Sequence, residues 1–437
     1  MSATAAIAVF DVGKTNKKLF LFDEHYKIVR EQSFSFTETM DEDGHPCEDV
    51  EKLAAWVKDS YQQLNTLKEF DIRAVNFSAY GASFVHIGKD DQPITPLYNY
   101  LKPYPPRLQK QFYDTYGGEI TFSMLTASPV LGSLNSGMQL YRIKEERPEL
   151  FEQISCSLHL PQYLSFLLTG KKYSDITSIG CHTNLWNFSQ QHYHEWVYRE
   201  GMIDKLAPKI PSVSVLPISN DRMAGIGLHD SSAAMIPYLE SFREPFVLIS
   251  TGTWCISMNP FNDTPLTAAE LQKDCLCYMN YQGRPVKASR LFAGYEHEQQ
   301  VKKLAAHFQK DPKYAEKIVY DPDIVSDLHT RKDEGRDPAL FDSFEVAYHR
   351  LIMDIMDQQV VSTALVLHGA EVKRIFVDGG FGRNQVYMHL LAAAFPHIEV
   401  FAASIPQATA MGAALAIHSH WNTRSLPGDI IELKYFK

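Results

Sequence analysis

Three observations predict an α/β fold in two domains, each a mixed sheet covered by helices. At 437 residues the chain exceeds one ordinary core, so two domains, or three, are expected. Two segments about half the chain apart carry the same device. Ile7-Ala8-Val9-Phe10-Asp11-Val12-Gly13-Lys14-Thr15-Asn16 and Phe246-Val247-Leu248-Ile249-Ser250-Thr251-Gly252-Thr253-Trp254 each run an apolar strand into a polar turn at glycine, after which alternating apolar residues resume. Both halves then continue as strands, helix and strand, an order that builds a mixed sheet rather than a pure βαβ array.

Along the first half, Lys18-Leu19-Phe20-Leu21-Phe22 and Ile28-Val29 read as strands. Val50, Leu53, Val57, Tyr61 and Leu64 recur at helical spacing, and Val75-Asn76-Phe77-Ser78 returns to strand. Glu240-Ser241-Phe242-Arg243-Glu244-Pro245 is polar and ends in proline, which sets a first domain over 1–243 and a second over 244–437. In the second half, strands around Phe246 to Ser257 precede a helix with Tyr348, Leu351, Ile352 and Ile355 on one face. Gly369 stands where a left-handed cap would stop it. A strand at Arg374 to Val377, a glycine-rich loop over Asp378-Gly379-Gly380-Phe381-Gly382-Arg383-Asn384, a strand at Glu399-Val400-Phe401 and a helix over Gln407 to Ala414 complete the pattern.

The net charge of −10 argues against a general nucleic-acid or acidic-membrane partner, since only Lys14, Lys17 and Lys18 group together. Six scattered cysteines read as free thiols of a reducing compartment. The start lacks a basic leader and no run reaches the roughly 18 apolar residues of a membrane span, so a cytoplasmic location is expected.

Glycine lets a backbone approach a ligand closely and take positive φ, so each turn would wrap N–H groups and small hydroxyls around an anion, and the pair would face one phosphate. Gly13-Lys14-Thr15 is not a P-loop, because Ala8 stands where that motif needs glycine and a strand follows. Asp11, at the mouth of the first turn, is a candidate for Mg²⁺. The loop from Asp378 to Asn384 would admit a nucleotide to its backbone, with phosphates at the following helix start. Asp230 follows Gly225-Ile226-Gly227-Leu228-His229 and opens a helix, either as a capping residue or as a general base. His182, His192 and His194 show no convincing metal spacing and carry no zinc assignment.

Together these residues resemble the FGGY carbohydrate kinases of the sugar kinase and actin superfamily, over nearly the whole chain. Asp11 to Lys18 is similar to the family's first phosphate motif and Ser250-Thr251-Gly252-Thr253 to its second. Asp378 to Asn384 resembles its adenosine loop, and Gln407 to Ala414 the helix closing the nucleotide site. Within the family the pattern is most similar to L-rhamnulokinases and related ketose kinases. Tyr80-Gly81-Ala82-Ser83-Phe84-Val85 stands at the sugar loop, Asn135 to Leu140 at the following helix, and His229-Asp230-Ser231-Ser232-Ala233 at the catalytic aspartate.

The resemblance implies two ribonuclease-H-like, actin/hexokinase-type domains hinged around a catalytic cleft, sugar held by the first and nucleotide by the second. It implies ATP-dependent phosphorylation of a small ketose such as L-rhamnulose or L-fuculose, with ATP and Mg²⁺. Asp230 would be the base and Asp11 the metal residue. Gly13, Lys14, Thr15, Asn16, Thr251, Gly252 and Thr253 would hold phosphates, Gly379, Gly380, Phe381 and Asn384 the nucleoside, and Tyr80, Gly81, Ala82, Ser83 and His229 the sugar. A homodimer is left open. Ser83 replaces a usual aspartate, Asn99-Tyr100-Leu101-Lys102-Pro103-Tyr104 replaces a family segment, and Gln407 a usual glutamate, which puts the sugar in question. Lys14, where threonine or alanine is common, either meets the transferred phosphoryl or forms a surface pair. A nucleotide-dependent sugar sensor or an inactive kinase is the competing reading. A DNA-binding sensor would need a helix-turn-helix before the first strand, and a chaperone a peptide-binding domain after Lys437.

Overall fold

The computed structural model describes residues 3–219, 221–330, 335–369 and 371–437. Two mixed sheets of seven strands dominate these residues. In the first, β1 (Thr4–Val12) pairs antiparallel with β2 (Lys17–Asp23), which pairs with β3 (Ile28–Phe34). After α1 (Val50–Leu64), β4 (Phe70–Ala79) returns parallel to β1. The hairpin β5 (Val215–Ser219) and β6 (Arg222–Gly225) and the short β7 (Leu228–His229) add to the free edge of β4. α2 (Asp230–Ser241) follows this sheet.

The second sheet repeats this order. Its strands are β8 (Phe246–Thr251), β9 (Cys255–Asn259), β10 (Cys275–Met279) and β11 (Pro285–Leu291). Then come α3 (Ala293–His307), α4 (Phe344–Leu367), β12 (Arg374–Gly379), α5 (Gln385–Ala394), β13 (Glu399–Ser404), α6 (Ala408–Ala416) and β14 (Glu432–Phe436). β8 pairs antiparallel with β9 and parallel with β12, as β1 does with β2 and β4. The long helix closes at His368 and Gly369 takes φ of 84°, the left-handed position expected of it.

The period of two along each central strand sorts its side chains into two cores. Ile7 and Val9 join an inner core shared by both domains, while Ala6, Ala8, Phe10 and Val12 join an outer one against α1. β8 does the same: Phe246 and Leu248 face inward, Val247 and Ile249 outward toward α3, α4 and α5. With both faces covered, these strands are continuous apolar runs. Full burial of each such phenylalanine or leucine is worth roughly 1.5–3 kcal/mol.

The inner core is built around α2 and α6, the last helix of each repeat. They cross where Gly412 meets Ala233, and a Cβ on Gly412 would overlap the Ala233 carbonyl. Asn76 Nδ2 donates to the Ala413 carbonyl at 2.7 Å across the same seam.

One part of the first domain lies outside the two-sheet scheme. Between β4 and β5, Phe84–Ile87 pairs with Cys156–His159, and helices including Pro106–Thr115, Glu119–Thr126 and Ser136–Glu146 surround a core of Phe112, Tyr113, Phe122, Tyr141 and Trp196. His194 is buried there as the N-cap of Glu195–Arg199, its Nδ1 accepting from Trp196 N–H. All six cysteines are buried free thiols. Among the described residues no helix is long and apolar enough to cross a membrane.

Candidate functional site

The strand period that fills the inner core also delivers polar residues to its open end. Asp11 follows Ile7 and Val9 on the inward face of β1, in register with Ser78 on β4. Ser250 follows Phe246 and Leu248 on β8, in register with Asp378 on β12. The two lobes thus present the same pair in opposite order, an acid and a serine on neighbouring parallel strands. Thr409, in the first turn of α6, donates its hydroxyl to Asp11 Oδ2 at 2.7 Å and ties the second domain to the first at this point. Burial pushes the Asp11 carboxyl up to about 6; hydrogen bonds from Thr409 and Ser78 oppose the rise and the neighbouring Asp230 charge adds to it.

Asp230 is the first residue of α2, with His229 at the N-cap. Its Oδ1 accepts from its own neighbour, Ser231 N–H, at 2.6 Å. Asp230 is thus not the N-cap residue, although it satisfies one first-turn amide, and its carboxylate lies part-exposed at the positive end of a helix dipole beside Asp11. His229 is buried behind it. Its Nε2 lies 3.3 Å from Asp230 Oδ1 and 3.4 Å from Cys181 Sγ, and burial holds the ring below the usual histidine range, hence neutral.

The two glycine turns match in detail but not in the expected way. Gly13 N–H donates to the Asn16 carbonyl and Gly252 N–H to the Trp254 carbonyl, each at 2.9 Å, so both amides close their own turns. Neither glycine is among those at positive φ. The demand for glycine falls on their neighbours instead. Gly379 has φ of 92° and lies so close to Thr251 that a Cβ would overlap its carbonyl oxygen; Gly294, in the first turn of α3, rests in the same way on the Gly252 carbonyl. Thr15, Asn16, Gly252 and Thr253 are exposed at the turn tips.

Thr251 is not available as a phosphate ligand in this arrangement. It is buried, its hydroxyl donates to the Asp378 carbonyl at 2.6 Å and accepts from Phe381 N–H at 3.0 Å, and so it joins the second turn to the glycine-rich loop. Lys14 takes the second of its two alternatives. Its ammonium pairs with Glu38 at 2.8 Å and Glu48 at 3.3 Å, leaving only its backbone to the turn. Glu48, in the segment leading into α1, also lies 2.8 Å from the buried Lys17 ammonium and accepts from the Tyr80 hydroxyl at 2.8 Å. This knot was missed from sequence because Glu48 sits in no recognisable motif.

The segment expected to touch a sugar forms a wall behind the cleft. Tyr80, Ala82, Ser83 and His229 are buried, Ala82 is left-handed at φ of 62°, and its carbonyl accepts from Gln139 Nε2. Gly81 is part-exposed, and a Cβ there would lie 2.6 Å from the His229 ring. The Ser83 hydroxyl and Gln139 Oε1 are buried without hydrogen-bond partners. Tyr100, edge-on to Tyr80, is part-exposed with Asp230 among the charges acting on its hydroxyl.

On the second domain a cavity of about 430 Å³ opens beside the second turn, lined by Gly252, Gly294, His297, Tyr348, Phe381 and Asn384 among others. That volume suits a nucleoside. Asn384 caps α5 and donates to the Tyr348 hydroxyl at 2.7 Å, and that oxygen lies 3.0 Å from His297 Nε2. Burial holds His297 neutral, with its pKa lowered to about 4. Phe381 is packed between Tyr387 and His297, so its ring supports the cavity wall. Gly379 and Gly380 form the turn above it.

Along the inward face of the same sheet, past the part-buried Ile256 and the buried Ala288, Trp254 and Arg290 continue toward the cleft. Trp254, Phe292 and Tyr295 form an exposed aromatic group, with ring centroids 4.5 and 4.8 Å apart and the Arg290 guanidinium 5.4 Å from the Trp254 ring. From sequence alone His297 and the aromatic group have no site role and Tyr348 reads only as part of a helix face, because the cleft is assembled from segments far apart in the chain.

Comparison with known proteins places this geometry in a family. The N-terminal domain of the FGGY family of carbohydrate kinases matches residues 6–213, a carbohydrate kinase FGGY C-terminal domain matches residues 243–326, and the FGGY C-terminal domain matches residues 343–419. A rhamnulokinase of Halalkalibacterium halodurans is 22% identical over 264 residues, which are 56% of this chain and 54% of that protein. An L-fuculokinase of Escherichia coli is 23% identical over 270 residues, 58% of this chain and 56% of that protein. The matched part thus spans about half the length of these curated relatives. The crystal structure of a carbohydrate kinase from Novosphingobium aromaticivorans superposes with a TM-score of 0.81 at 22% identity, covering 98% of this chain and 96% of that one. With both halves of the chain matched by the family's two domains and the repeated fold shared along its length, this protein belongs to the FGGY family of carbohydrate kinases.

Proposed function

We propose that this protein transfers the γ-phosphoryl group of ATP to a hydroxyl of a small ketose, of the kind named by its rhamnulokinase and L-fuculokinase relatives, with Asp230 as general base. The observation that carries this reading is the placement of Asp230 at the start of α2. There a part-exposed carboxylate lies near the half-buried Asp11, with both glycine turns at the same end of the two sheets.

Phosphoryl transfer asks mainly for alignment and charge stabilisation. Nucleoside in the 430 Å³ cavity would lead its phosphates past Gly252 and Thr253, toward Thr15 and Asn16 of the opposite turn. Asp230 would accept the proton of the attacking hydroxyl, which must reach hydrogen-bond distance of its free oxygen. The wall from Tyr80 to Ser83, with Tyr100, would shape the sugar side. Closing the lobes would exclude water that otherwise takes the phosphoryl group.

The residues present fit a Mg²⁺ ion. Asp11 and Asp230 place two carboxylates near one another with Thr409 and Ser78 as the donors to Asp11, and no group of three or more metal-ligating side chains occurs among the described residues. Mg²⁺ takes one or two carboxylates and keeps waters and phosphate oxygens for the rest of its shell. Asp11 would hold it, and when bound it supplies positive charge to the phosphate oxygens.

A coupled ADP-release screen across L-rhamnulose, L-fuculose, L- and D-xylulose, D-ribulose and glycerol tests the substrate. Asp230→Asn tests the base: turnover is expected to fall by 10² or more, a general-base contribution, while ATP binding by calorimetry persists. Unchanged kcat in that variant removes the assignment. ATP binding with no sugar turned over by the wild type favours the sensor reading.

A further inference from the structure

Asp175 is a carboxylate with no role in the scheme above, yet it and Thr177 are both 0% exposed. A carboxylate in such a place needs donors around it. Thr177 N–H donates to it at 2.9 Å, the hydroxyls of Thr177 and Ser212 donate as well, and Ser178 N–H adds a further backbone donor. Burial pushes the Asp175 carboxyl up, and these hydrogen bonds oppose the rise.

The Thr177 hydroxyl has one proton, which it gives to Asp175. Its oxygen therefore stays an acceptor, and it accepts His229 N–H at 3.0 Å. His229 is the N-cap of α2 and has no side-chain cap of its own, so the direction in which Asp230 leaves the helix start depends on how His229 is held. Cys181, from the same short segment, touches the other end of His229 at its Nε2, while Gly81 presses on the ring from the first domain's wall. The segment from Asp175 to Cys181 grips His229 at both backbone and ring.

We infer that Asp175 and Thr177 are positioning residues for Asp230, a buried carboxylate and hydroxyl in series that fix the His229 amide and with it the aim of the base. The inference rests on Asp230 being that base. Misplacing a reacting group by about 1 Å costs on the order of 10²-fold in rate, whereas sugar and nucleotide bind mainly to other surfaces.

Thr177→Val keeps the shape and removes the hydroxyl; Thr177→Ser keeps the hydroxyl. The expected result is a kcat lowered by about tenfold to a hundredfold in the valine variant, with KM for sugar and for ATP within about twofold of wild type, and kcat largely restored in the serine variant. Asp175→Ala, which removes the acceptor of the Thr177 hydroxyl, serves as the second variant and should show the same separation of kcat from KM. Wild-type kcat in a folded Thr177→Val or Asp175→Ala protein overturns the inference. So does a serine variant as slow as the valine one. Asp230→Asn measured alongside separates the two levels: full turnover there removes the base itself, whereas its loss together with full turnover in Thr177→Val removes only the positioning role.

Discussion

Asp11 holds its proton more tightly in the folded protein than in the unfolded chain, because burial has raised its carboxyl to about 6. Between about pH 4 and 6 the folded state therefore binds more protons, and stability falls as pH rises through that window. Asn at this position keeps the shape and removes the charge. Asp11→Asn is expected to melt above the wild type at pH 8 without ligand, by at most about 3 kcal/mol, and by less to the extent that solvent reaches the carboxyl. The difference should vanish at pH 4, and sugar phosphorylation should be lost. Calorimetry at the two pH values checks this; equal melting at pH 8 would show that the charge is well accommodated. A residue at a strand end that is expensive to keep in the resting protein, yet sits between two phosphate turns, is what a site awaiting positive charge requires.

At the scale of elements, the glycines that the packing requires are distinct from the glycines proposed to face phosphate. Gly379→Ala must relieve both a left-handed φ and an overlap with the Thr251 carbonyl, so a loss of about 1–3 kcal/mol in urea unfolding is expected. Gly252→Ala meets no atom within 4 Å, so its stability should stay within about 0.5 kcal/mol of wild type, while ATP binding weakens if phosphate passes there. Equal stability losses in both variants would contradict the division. The strands and turns themselves were legible, because Ile7 to Phe10 and Phe246 to Ile249 are buried on both faces and so read as unbroken apolar runs. The reason for the glycines was not, since it lies in the approach of β12 and α3, residues 40 and more positions away. Thr251 shows the same limit: a hydroxyl in a phosphate-like motif looks free until the glycine-rich loop that engages it is in place.

In the whole molecule, the two repeats meet through their last helices, and Gly412 on Ala233 makes that crossing tight. Further links join the lobes, among them Thr409 to Asp11, Ser232 to the Met279 carbonyl, Cys277 N–H to the Ala127 carbonyl and Met279 N–H to the Gly180 carbonyl. The repeat was readable from the paired turns, and Asp230 from the helix it opens. The helical part between Phe84 and Leu206 was not, because its core gathers aromatics such as Phe112 and Trp196 from separate short helices with no shared period. The aromatic group at the cleft has a practical consequence. Of five tryptophans, Trp56, Trp186, Trp196 and Trp421 are buried, whereas Trp254 is 39% exposed. Acrylamide should therefore quench Trp254 almost alone, and sugar together with nucleotide should protect it as the lobes approach. Unchanged quenching with both ligands bound would mean a cleft that stays open. The protein carries its own optical gauge of closure, readable without a label and without waiting for product.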